Sequence, residues 1–368
     1  MPTLNIGKLR QAPSRVEVPL SVEGESLPTL WYAIDHGTCG RFRSLDGSFV
    51  LIALLPFAMA NGYDIALVEP VSTSMLANLE EWQDAWLRTR PDLYSRVEIR
   101  SRVAKRRPFR PRSSDAVLAF SGGLDSCYSL SAHANRTLGF RSQRLGLAVM
   151  VHGMDIPLDK PSAFAFALAS ANRITDSFDM PLCAVSTNWK SFSPDYEATF
   201  LAGLASVLHL FSGRFRSCVV SNDDPYGKEL LGWGSTSSTN HLLGHTSFPL
   251  STTGYGLSRT EKAAAIASNT AVTRNLRVCH AGPMTGRNCG ECEKCIRTAL
   301  NFLAVGVDRI EAIEPITLEK LDRLFVDKFV KVKQVVDILK YPGPLPEAYR
   351  SKLENAVSAE SQRLGLSE

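Results

Sequence analysis

The stretch "VLAFSGGLDSCYSL", residues 117–130, decides how this chain is read. Four mostly apolar residues run into Ser121-Gly122-Gly123, then Leu124-Asp125-Ser126, then a segment with the pattern of a helix. A loop between a strand end and a helix start exposes backbone N–H groups that lack intrahelical partners, and the helix dipole adds partial positive charge there. Gly122 and Gly123 let the backbone turn tightly and approach a phosphate with no Cβ in the way. Ser121 and Ser126 add hydroxyl donors. Asp125 is odd beside a phosphate, because two anions repel. It makes sense if Mg²⁺ bridges the two or if the carboxylate caps the helix. The loop is not a Walker loop, since no Gly-Lys-Ser/Thr follows, and G-x-G-x-x-G is absent.

Outward from this loop, short apolar runs alternate with helical patterns. Strands are expected at Ala116–Phe120, Leu145–Val151, Leu182–Ser186 and Cys218–Ser221. Helices are expected at Leu124–Leu138, Pro161–Ile174 and Tyr196–Phe211. This rhythm predicts a parallel sheet covered on both faces, with ligands at the carboxyl ends of its strands. Ser121–Ser126, His152–Asp155, Ser186–Trp189 and Asn222–Gly227 then surround one crevice. The first 112 residues read as an α/β extension of their own, with strands at Val16–Val22, Ile65–Val68 and Val97–Val103 and helices at Ser48–Asn61 and Ser72–Arg88. "KRRPFRPR", Lys105–Arg112, reads as a solvated basic linker or, more sharply, as a phosphate or RNA contact. Residues 306–368 read as a helical tail (Leu318–Leu339 and Glu347–Leu364) for packing or homodimer contact, with no chemistry of its own.

The 368 residues are 44% apolar and 21% charged, which suits a chain that buries a proper core. A formal charge of +4 permits an anionic ligand without indicating nucleic acid. Met1–Arg15 has no apolar signal core, and the longest apolar run, Phe49–Ala60, is too short to span a bilayer. A cytoplasmic protein with no membrane partner is expected. Of eight cysteines, Cys39, Cys127, Cys183 and Cys218 are scattered, whereas Cys279, Cys289, Cys292 and Cys295 cluster late. Clustered thiols in a reduced chain point to a metal rather than disulfides. Four thiolates at this reach can surround a tetrahedral Zn²⁺, a closed and therefore structural site. His280 is an alternative fourth ligand. An iron–sulfur run is broken, because no fourth cysteine or proline follows Cys295.

Ser121-Gly122-Gly123-Leu124-Asp125-Ser126 resembles the SGGxDS motif of the PP-loop ATP pyrophosphatases, matching it over all six positions. That resemblance implies cleavage of ATP between its α and β phosphates, with pyrophosphate held by these six residues. Joined to C…CGxCxxC, the loop resembles the 7-cyano-7-deazaguanine synthase family over about residues 114–305. The implied fold is α/β: a parallel-sheet PP-loop domain, adenine nucleotide alpha-hydrolase-like and Rossmann-like, over residues 113–305. A zinc-binding C-terminal segment and an N-terminal α/β extension complete it. Zn²⁺ would be held by Cys279, Cys289, Cys292 and Cys295, and the implied cofactors are ATP, Mg²⁺ and Zn²⁺. The implied reaction adenylates the carboxylate of a small purine-like substrate for attack by ammonia or an amine, giving an amide or nitrile. Longer members of the family, some in bacterial antiviral defence operons, are closer in size. The long extension offers a surface for a protein partner or acceptor.

"GLSRTEKAAAIA" places Arg259 and Lys262 at the start of a helix, as the similar family segment places a lysine. Either cation suits an α-phosphate or a carboxylate, and with Ser121, Asp125 and Ser126 they complete the expected catalytic set. The plainer reading is a Ser258-x-x-Glu261 capping box with solvated cations. Asp223, Asp224, Tyr226 and Trp233, in the long polar loop Ser221–Asn240, are candidates for substrate contact. His133 and His209 fall within helices and read as structural. A tRNA-thiolating enzyme with the same loop, or a nucleotide-binding component of a larger complex, remains open.

Overall fold

From Asp115 onward the expected alternation of strand and helix forms. The computed structural model describes residues 1–35, 39–40, 46–103, 113–279, 281–324 and 329–363. Strands β7 (Ala116–Ala119), β8 (Leu145–His152), β9 (Leu182–Thr187), β10 (Ser217–Ser221) and β11 (Leu250–Thr253) lie parallel in the order β11-β10-β7-β8-β9. All five carboxyl ends therefore open on the same edge. β11 escaped the sequence reading because "LSTT" is short and mostly polar.

Successive residues of these strands face opposite ways, so each strand feeds two cores. Val117, Ala119, Val149, Val185 and Val220 pack with helices α1 (Ser48–Asn61) and α5 (Tyr196–His209). Ala116, Leu118, Ala148, Leu182 and Val219 pack with α3 (Leu124–Ala134), α4 (Pro161–Asp176), α6 (Arg259–Ile266) and α7 (Thr270–Asn275). Burial on both faces is why these strands read as continuous apolar runs.

The N-terminal strands are β1 (Thr3–Ile6), β2 (Arg10–Ala12), β3 (Arg15–Val22), β4 (Glu25–Ile34), β5 (Asp64–Val71) and β6 (Ile99–Val103). β3 and β4 form a hairpin through Glu23 and Gly24, both at positive φ (51° and 90°). Two left-handed residues are the geometry of a tight hairpin turn whose twist matches its strands. β4 then pairs antiparallel with β9, Tyr32 opposite Thr187 and Ile34 opposite Val185. One mostly parallel, eleven-stranded sheet thus crosses the boundary expected near residue 112. Helix α2 (Thr73–Thr89), capped by Ser72, buries Met75, Leu79, Trp82 and Trp86. Trp189 joins the two parts, donating its indole N–H to Ala53 O of α1 at 2.9 Å. The basic stretch at 105–112 lies outside the described residues, as does His280.

The tail departs from a single helix over 318–339. A 3₁₀ turn spans Leu318–Arg323, and helix α9 spans Phe329–Lys340. Both pack on α8 (Glu293–Ala304) through Leu300, Leu303, Leu321, Val335 and Ile338. α10 (Glu347–Arg363) closes the chain. No helix of the described residues is long and apolar enough to cross a membrane. The reading of Cys39 and Cys183 as unrelated scattered thiols needs correction. They form a disulfide with their Cα atoms 5.1 Å apart, Cys183 lying in β9. A separation of 144 residues hides this pairing from the sequence.

Candidate functional site

The glycine loop sits where β7 ends and α3 begins. Gly122 has φ +72°, a left-handed conformation that any side chain would strain. Gly123 is extended at the N-cap of α3 and offers no capping side chain. The loop braces itself instead. Ser126 Oγ donates to Gly123 O at 3.0 Å and accepts from Ser121 N at 3.3 Å, while Gly123 N donates to Ser121 Oγ at 3.3 Å. Leu124 is buried under the first turn. Arg277 N–H donates to Gly122 O at 2.9 Å, tying the loop to the chain that enters the cysteine cluster.

Asp125 does not cap the helix. Its Oδ1 accepts from Lys262 Nζ at 2.8 Å and its Oδ2 from Arg259 Nη2 at 3.0 Å. Burial opposes its charge, but Arg259 and Lys262 outweigh burial and hold the carboxyl below the usual carboxylate range. Lys262 is 0% exposed and also donates to Asn222 O at 2.9 Å. Arg259 reaches on to Asp223 Oδ1 at 3.4 Å, and its guanidinium is held above its ordinary range by Asp125 and Asp223 against the opposing effect of burial. The capping box exists: Ser258 Oγ accepts from Glu261 N, and Glu261 Oε2 accepts from Ser258 N at 2.7 Å. Lys262 is nonetheless buried, and Arg259 is half-buried against Asp125 rather than solvated. The cap aims the first turn of α6 at the loop, where both cations meet Asp125.

Of the polar-loop candidates, Asp223 joins this cluster and accepts from Trp233 Nε1 at 3.3 Å. Asp224 accepts from Gln334 Nε2 of α9 at 2.8 Å, and burial pushes its carboxyl up. Tyr226 stays apart, 62% exposed and stacked on Tyr255. The sequence reading found no chemistry in α9, yet Gln334 and Asp337 reach the crevice, Asp337 pairing with Lys228. Arg297 and Asn301 of α8 were also missed. The Glu293-x3-Arg297 spacing of a helical ion pair was the available signal.

Cys279, Cys289, Cys292 and Cys295 bring their ligand atoms within 4.8 Å of one another. The Cys289–Cys295 and Cys279–Cys292 sulfurs are 4.0 and 3.9 Å apart. A tetrahedral Zn²⁺ with bonds of about 2.3 Å separates its sulfurs by ~3.8 Å, so the cluster fits a metal such as zinc. Among the described residues no other group of His, Cys, Asp or Glu is close enough together to hold a metal ion. Asn288 orders the cluster: its Oδ1 accepts from Val278 N and Cys279 N, and its Nδ2 donates to Leu276 O and Ala312 O, both at 2.7 Å. Cys292 N–H donates to Cys289 Sγ at 3.2 Å. Compared with protein-family models, curated proteins and solved structures, the chain matches none.

Proposed function

We propose that the protein is an ATP-dependent adenylating enzyme. It converts ATP to AMP and pyrophosphate while activating a carboxylate, that of a 7-deazaguanine-type base, for attack by ammonia or an amine. The observation that carries this reading is the SGGLDS loop at a strand-to-helix junction, with Asp125 clasped by Lys262 and Arg259. The substrate carboxylate attacks the α-phosphorus, and the bond to the leaving pyrophosphate breaks with its electron pair. Loop N–H groups and the two cations stabilise the charge that builds on the leaving oxygen. Mg²⁺ arriving with the nucleotide would shield its phosphates. The amine nitrogen then attacks the acyl carbon, loses a proton and expels AMP. A second activation would adenylate the amide oxygen, which leaves in AMP as the nitrogen loses two protons, giving the nitrile. The four cysteines hold a structural metal in this scheme, which speaks against a thiolating enzyme that needs cysteines free to carry sulfur.

The test incubates purified protein with MgATP, with and without 7-carboxy-7-deazaguanine and ammonium, and reads products by mass spectrometry. AMP with an amide or nitrile of the base is the expected outcome. Asp125→Ala or Ser121→Ala should lower AMP formation at least 100-fold with the fold intact. Full turnover in both variants would remove the site assignment, and no AMP from wild type with this acid would remove the substrate.

A further inference from the structure

A small cavity of about 10 Å³, room for one water-sized group, is lined by Asp223, Asp224 and Arg259, by Arg297 of α8, and by Gln334 and Asp337 of α9. Its acids are engaged. Asp223 accepts from Arg259 and Trp233, Asp224 accepts from Gln334, and Asp337 pairs with Lys228. Its guanidinium groups are engaged only in part: Arg259 Nη2 donates to Asp125 and Asp223, and Arg297 Nη2 donates to Glu293 Oε2 at 3.4 Å. Among the described residues, the buried lining side-chain atoms without a hydrogen bond are Arg259 Nε, Arg297 Nε and Arg297 Nη1. Arg297 is only 6% exposed. Its Nε lies 2.7 Å from Glu293 Oε1 as an ion pair but without hydrogen-bond geometry, and its Nη1 donates to nothing.

Unsatisfied buried donors are costly, more so when charged, and two guanidinium groups on one cavity repel each other. The unsatisfied groups of the lining are all donors, so a ligand that satisfies them presents acceptors. We propose that Arg297, with Arg259, forms an oxyanion-binding position that takes one phosphate or carboxylate oxygen on Arg297 Nη1 and Arg259 Nε. Arg297 follows Cys295 by two residues on the helix that the cysteine cluster begins, so the cluster positions this guanidinium. Helix α9 forms the opposite wall through Gln334 and Asp337. Which oxyanion sits there rests on the adenylation reading; the position itself does not.

The test is calorimetric binding to the full chain with pyrophosphate, AMP and 7-carboxy-7-deazaguanine as separate probes. Wild type, Arg297→Met and Arg297→Lys are compared. The expected result is an affinity loss of at least tenfold for one probe in both variants, with unchanged circular dichroism and metal content. Loss for pyrophosphate or AMP assigns a phosphate, and loss for the carboxylated base assigns a carboxylate. Arg297→Lys keeps a cation beside Glu293, so it decides alone if Arg297→Met does not fold. Equal affinities of wild type and Arg297→Lys for every probe overturn the proposal, as does a wild type that binds none. The adenylation reading fails separately, on the absence of AMP from MgATP, and Arg297-dependent pyrophosphate binding survives that failure.

Discussion

At the scale of single residues, Lys262 ties the crevice together. Its ammonium holds Asp125 and Asn222 with no exposure to water. Removing one partner of a buried pair leaves the other charge uncompensated, at a cost of ~3–5 kcal/mol. Arg259 still faces Asp125, so Lys262→Met should destabilise by about 3 kcal/mol in denaturant unfolding. A change under about 1 kcal/mol contradicts the pairing. His133 is a second case. Gln143 N–H donates to its Nδ1 at 3.0 Å, so its proton sits on Nε2, 2.9 Å from Thr253 Oγ1. Burial, then Arg141, pulls the imidazole down from 6.5 to about 4. The unfolded chain therefore takes up a proton first. The stability His133 contributes is full above about pH 6.5 and is lost as pH falls through about 4. Denaturant midpoints measured across this window should fall less steeply for His133→Gln than for wild type. Equal slopes contradict a neutral buried imidazole.

At the scale of elements, α8 couples the cysteine cluster to the crevice. Cys292 is its N-cap, Cys295 lies in its first turn, and Arg297 follows at once. Arg277 N–H bonds Gly122 O from the other side of the cluster. A metal held by these four thiolates would be folding free energy, so Cys295→Ser should abolish stoichiometric metal by elemental analysis and lower the thermal midpoint by 10 °C or more. A variant that keeps wild-type stability without metal rules out the coupling. The elements themselves were largely legible. α1 runs over the expected Ser48–Asn61, because its apolar run ends at Asn61-Gly62 and Gly62 takes the left-handed C-cap at φ +66°. Elements with weak local pattern were not: β4 mixes exposed and buried residues, and the tail helix broke near residue 324.

At the scale of the whole molecule, residues before 113 share a sheet and a core with the later strands. β4 completes the edge of β9, Asn188 Oδ1 accepts from Trp31 N at 2.9 Å, and α1 covers α5. A fragment of residues 113–368 would expose the β9 edge and the apolar face of α5. It should lose near-ultraviolet dichroism and elute as aggregate on gel filtration. A monomeric fragment with native dichroism shows instead that the later strands fold alone. The Cys39–Cys183 disulfide adds a covalent tie between the same two parts.

The sequence by itself determined the parallel alternation after Asp115, the glycine loop, and the cysteine cluster. Each depends on neighbours along the chain: apolar periodicity, two glycines at a turn, thiols a few residues apart. Only the tertiary structure decided that Arg259 and Lys262 pair with Asp125, that Arg297, Gln334 and Asp337 line the same crevice, and that the N-terminal strands extend the sheet. These are pairings across tens to hundreds of residues. The closing contact depends on strand order and helix packing, which no local pattern encodes.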